Sequence, residues 1–175
     1  MILAVDVYYY NEEATAGAVA FADWSSSQED EVYVSHISSV EDYVPGEFYR
    51  RELPCIMQLM TEHRLSPDII IIDGLVYLDG FHKPGLGKYL FDALGARIPV
   101  VGVAKSRFLS ASDEIRVFRG RSNTPLYVTS AGIPLAKAKT CIMSMHGKFR
   151  IPSMLKKADR ISKQYAGNLF PLTEQ

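Results

Sequence analysis

The chain has 175 residues, 47% of them apolar and 22% charged, with a formal net charge of −1. That is enough chain for one domain, taken as residues 1–175, with one sizeable core, and it excludes a disordered or collagen-like protein. The apolar runs are far shorter than the roughly 20 residues of a spanning helix, so no membrane partner is expected.

The charge is unevenly placed. Residues 1–82 carry 15 Asp and Glu against 3 Lys and Arg, a net of −12; residues 83–175 carry 5 against 16, a net of +11. Such a split is compatible with a polyanionic partner and with a store of acidic metal ligands, or with halves that mix on one surface. Met1–Val5 meets Asp6 at once, a pattern not expected of a signal peptide. Cys55 and Cys141 stand in no metal-ligand spacing and read as reduced, buried thiols of a cytoplasmic protein.

Ile2–Tyr9, Ala14–Ala22 and Glu31–Ile37 are β-rich runs separated by short polar turns, which predicts an antiparallel meander. Between Pro45 and Arg64, Tyr49, Leu53, Ile56, Met57 and Met60 follow a helical period; Pro54 either starts the helix or kinks it. Asp68–Asp73 is an apolar run with acidic ends, suited to a buried parallel strand. An amphipathic helix is predicted over Pro84–Gly95, closed by its glycine, and strands over Pro99–Ala104 and Thr124–Thr129. Two proline-opened helices, from about Pro134 to Met145 and about Pro152 to Tyr165, complete the order. The expectation is an α/β domain: a mixed sheet, meander first and parallel strands after it, flanked by helices.

Several charged residues fall where burial makes them costly. Asp6 interrupts a core strand, and Asp73 ends another just before Gly74. Two strand-end carboxylates on neighbouring strands could share a hard divalent cation such as Mg²⁺. Taken singly, each also reads as a strand-terminating residue. Lys105 follows Val100–Ala104 directly and could offset charge developing on a phosphate, or be a surface lysine. His82 precedes a helix and could act as an acid or phosphate contact, or be an ordinary loop histidine. Glu52 lies at the edge of its helix's apolar stripe, and Tyr43 opens the stiff turn Tyr43-Val44-Pro45-Gly46, from which an aromatic ring could stack on a base.

In this order the motifs resemble the endonuclease V family. The resemblance runs from Asp6 to about Ser162 and rests on Val5-Asp6, Tyr43-Val44-Pro45-Gly46 with Arg51-Glu52, Ile69–Asp73 with Gly74, and His82-Lys83-Pro84. It continues through Val101–Arg107, which contains Gly-Val-Ala-Lys-Ser-Arg, to Phe149-Arg150-Ile151-Pro152 and Ala158-Asp159. The resemblance implies a ribonuclease H-like fold. It also implies Mg²⁺-dependent hydrolysis, with Mn²⁺ as an alternative ion, at the second phosphodiester bond 3′ to deoxyinosine or inosine in DNA or RNA. Asp6, Asp73 and Glu52 would be the metal-binding acidic set, Lys105 the active-site lysine and His82 the histidine near the break. Tyr43, Pro45, Gly46, Gly74, His82 and Ser106 would contact substrate, with Tyr43 in a wedge at the lesion.

Three departures from the family are visible. The interval from Asp73 to His82 is long, the 108–123 connection is short, and Ile133 stands after Ser130-Ala131-Gly132 where the family usually has a polar residue. The last implies a missing side chain near the metal, and hence an alternative: a relative of altered specificity, or one that binds nucleic acid without cutting it.

Overall fold

The computed structural model describes residues 1–42 and 44–169. Seven strands form one mixed sheet in the order β3-β2-β1-β4-β5-β7-β6. β1 (Ile2–Tyr10), β2 (Glu13–Phe21) and β3 (Glu31–Ile37) make the expected meander, and β4 (Ile69–Asp73) and β5 (Val100–Ala104) join β1 in parallel. The described residues include no helix long and apolar enough to cross a membrane.

Alternation along each strand sorts its side chains between two cores. Leu3, Val5, Ile70 and Ile72 face α1 (Tyr49–Glu62) and α2 (Leu86–Ala93), packing on Ile56, Leu59 and Leu90. Ala4, Ile71, Val101 and Val103 face α3 (Leu135–Ser144) and α4 (Ser153–Leu169), packing on Ile142, Met154 and Ala158. The central strands are buried on both faces, so they read as continuous apolar runs rather than alternating ones.

Two expectations need correction. β7 (Leu126–Ala131) pairs with β5 antiparallel, not parallel, and a two-residue strand, β6 (Arg116–Val117), closes that edge. The chain between β5 and β7 holds only a 3₁₀ turn at Asp113–Ile115 and β6, so no crossover helix carries it back to the sheet's far end. Of the two readings of Pro54, a start is overturned: α1 runs from Tyr49 through it, forgoing the bond its missing N–H would have made to Arg50.

Candidate active site

The site follows from register. Val5 pairs with Ile72 and Asp73 with Val103, so Asp6, in the middle of β1 where its parallel pairing with β4 stops, lies level with Asp73 and the residues after Ala104 at the ends of β4 and β5. Their parity matches that of Ala4, Ile71 and Val103, placing Asp6, Asp73 and Lys105 on the face covered by α4. All three line one cavity of about 20 Å³, closed by Ile151, Leu155 and Ala158. Gly102 permits this convergence: a Cβ there would stand 2.6 Å from the Gly74 carbonyl oxygen.

Electrostatics bind the group together. The Lys105 ammonium donates to Asp73 Oδ2 at 2.5 Å and lies 3.9 Å from Asp159 Oδ1. Desolvation opposes the lysine's charge, but Asp73, Asp159 and Asp6 outweigh it and hold its pKa above the usual value. Ser162 Oγ donates to Asp6 Oδ2 at 2.6 Å. Burial nevertheless pushes the Asp6 carboxyl up to about 6; the Ser162 bond works against this, and repulsion from Asp73 and Asp159 adds to it. Glu52 reaches the group from the first turn of α1 on the opposite face and is only 4% exposed. Burial, then the charges of Asp6 and Asp73, raise its carboxyl well above the ordinary range.

Asp6 and Glu52, both with raised proton affinity, form with Asp73 an all-oxygen set that a hard cation would relieve. Among the described residues no three or more His, Cys, Asp or Glu side chains form a ready-made metal cage.

The remaining sequence-predicted residues lie elsewhere. Gly46, Gly74 and Ser106 line an adjoining recess of about 310 Å³ with Phe48, Leu75 and Phe108. Pro45 occupies the exposed turn beside Gly46, and Tyr43 lies outside the described residues. The His82 side chain is 90% exposed, stands 3.9 Å from Asp79 Oδ2 and lines neither the cavity nor the recess; Asp79 accepts the backbone N–H groups of Phe81, His82 and Lys83 to hold that turn. Ile133 is a correction. Ala131 pairs with Val100 and Gly132 sits against Pro99, so Ile133 lies at the opposite end of the sheet, packed into the α3/α4 core. No side chain at 133 belongs to this cluster.

Asp159 entered the sequence reading only as part of the Ala158-Asp159 motif and Ser162 only as the end of the resemblance; neither was given a site role. Asp159 looks like a solvated helix residue because it pairs with Lys163 one turn on, at 2.8 Å. Ser162 carried the better signal: it is a polar residue on the apolar stripe of Met154, Ala158 and Ile161, and it is fully buried.

This sheet order, with acidic groups midway along β1 and at the end of β4, is the ribonuclease H-like fold. The catalytic domain of human endonuclease V shares it at a TM-score of 0.78 and 21% identity, covering 98% of this chain and 84% of that one. So does endonuclease V of Ciona intestinalis, in complex with a 24mer DNA containing an inosine followed by a ribo-adenosine: TM-score 0.78, 16% identity, 96% and 86% covered. The family model described as Endonuclease V matches residues 1–122, and the chain belongs to that family of nucleases. Among curated relatives, endonuclease V of Rippkaea orientalis is 25% identical over 99% of this chain and 83% of its own length. That of Nostoc punctiforme is 28% identical over 83% and 73%.

Proposed function

We propose that this chain is a divalent-metal-dependent endonuclease that hydrolyses a phosphodiester bond 3′ to deaminated adenine, inosine or deoxyinosine, in nucleic acid. The observation that carries the proposal is the convergence of Asp6, Asp73 and Lys105 in one cavity, with Glu52 and Asp159 in electrostatic reach. The inosine-containing DNA bound by the Ciona relative supports the choice of substrate.

Asp6 and Asp73 would hold the ion, Mg²⁺ or Mn²⁺, with Glu52 acting through water. The bound ion supplies help in ionising that water and in offsetting charge on the phosphate. The chain's own groups account for the rest. Lys105 stays protonated and faces the developing negative charge. Ser162 fixes the orientation of Asp6 through its hydroxyl. The recess beside Gly46, Gly74 and Ser106 has walls mostly of carbon and opens next to Asp73, as a pocket for a displaced base requires. His82 would meet the strand only from the exposed 78–84 turn.

The test is a gel assay of deoxyinosine and inosine oligonucleotides with Mg²⁺ or Mn²⁺. Wild type should nick them and the Asp73→Ala variant should not. A wild-type protein that binds these oligonucleotides and leaves them intact would overturn the proposal.

A further inference from the structure

A second surface adjoins the site. Phe149 stands 58% exposed on the loop between α3 and α4. The Lys156 ammonium lies 4.7 Å and the Lys148 ammonium 5.3 Å from its ring centroid. On one side of the ring is a groove of about 720 Å³ lined by Arg121, Lys148, Arg150 and Lys156, with no carboxylate in its walls. On the other is a groove of about 610 Å³ that shares Phe149 and Lys156 and ends at Asp159. Ile151 forms a wall of both grooves and of the cavity holding Asp6, Asp73 and Lys105. The surface is therefore continuous with the site, on the α3/α4 side of the sheet, whereas the apolar recess lies on the α1/α2 side.

The loop is held rigidly. Arg119 is 6% exposed, and its guanidinium donates to four backbone carbonyls: Phe149 at 2.9 Å, Arg150 and Gly147 at 3.2 Å, and Met145. Arg150 in turn donates to the Lys105 carbonyl, joining the loop to the end of β5. A buried cation whose two terminal nitrogens are spent on main-chain oxygens fixes the loop's shape and leaves Lys148, Phe149 and Lys156 exposed.

We infer that Phe149, with Lys148, Lys156 and Arg121, is a stacking platform for a single-stranded segment of nucleic acid leading away from the site. An exposed ring between ammonium groups fits an unpaired base with its flanking phosphates, whereas stacked duplex bases present no free face to it. The inference rests on the nuclease reading for its substrate class, so its test uses a probe that reading does not need.

The probe is an inosine-free oligothymidylate of about 15 nucleotides, near the upper end of known single-strand footprints. It is bound to the full chain in EDTA and followed by fluorescence anisotropy over a range of salt. Phe149→Ala should weaken binding roughly tenfold and Phe149→Tyr should restore it. Lys148→Ala with Lys156→Ala should make the slope of log K against log salt shallower by about 1.4, the value for two phosphate contacts on a single strand. Unchanged affinity and slope in these variants would refute the platform. So would displacement of the probe by polyglutamate as readily as by unlabelled oligothymidylate, which marks a generic anion surface. A protein that passes this test yet never cuts inosine substrates keeps the platform and loses the proposed reaction.

Discussion

Replacing Asp6 by Asn should stabilise the metal-free protein. The carboxyl moves from 3.8 in the unfolded chain to about 6 in the fold, chiefly through burial. This corresponds to about 3 kcal/mol against folding once both states are ionised, an upper figure because water reaches part of the site. The sign follows from proton binding: the folded state holds the proton more tightly, so stability is lowest above about pH 6 and returns as pH falls towards 3.8. An asparagine carries no charge to desolvate, and its carbonyl can still accept the Ser162 hydroxyl. For a chain of this length each kcal/mol moves Tm by about 2–4 °C, so Asp6→Asn should melt about 6–12 °C higher near pH 7.5 in EDTA. The gap should close at about pH 4, where the wild-type carboxyl is already neutral. Added Mg²⁺ should also narrow it, by stabilising wild type alone. Calorimetric melts of both proteins at the two pH values, with and without the ion, measure all of this. A variant less stable than wild type near pH 7.5, or a gap that ignores pH, would refute the account of Asp6 as a strained, desolvated charge.

Lys105→Met should reduce nicking about 100- to 1000-fold, as loss of one transition-state charge partner does, with the circular dichroism spectrum unchanged; single-turnover cleavage checks this. Ser162→Ala removes a bond that holds the Asp6 pKa down, so the acidic limb of the pH–rate profile should move to higher pH. A limb that stays in place would separate Ser162 from the reaction. Gly17→Ala sets a Cβ 2.7 Å from the Ser162 backbone nitrogen and should cost about 1–3 kcal/mol in denaturant titration, with nicking falling because α4 is lifted from β1 and β2.

The legible part of the site was the part carried by strands. Asp6 interrupts an apolar run and Asp73 and Lys105 each end one, and a charge there is visible without coordinates because burial is expensive. The meander was legible from its short polar turns, and β4 and β5 from their continuous apolar runs, the mark of strands buried on two faces; their order beside β1 was not. The direction of β7 was not, since a strand's own residues look alike whichever way it runs and only the connection decides. The contribution of α4 was also hidden. Asp159 satisfies itself with Lys163 as any surface helix residue might, and its approach to Lys105 exists only after the helix docks. Pro54 shows the converse: local propensity predicted a boundary or a kink, and burial of Cys55, Ile56, Leu59 and Met60 carries the helix through it.

Asp6 and Ser162, joined by one hydrogen bond, are 156 positions apart in the chain. A growing polypeptide that has finished all seven strands still lacks the roof over its acidic groups, because α4 is added after β7. A chain stopped short of α4 would therefore keep the strand-borne acids and Lys105 and lose both the Ser162 hydroxyl that holds Asp6 and the Asp159 carboxylate near Lys105, so the far end of the sequence completes what its first strand begins.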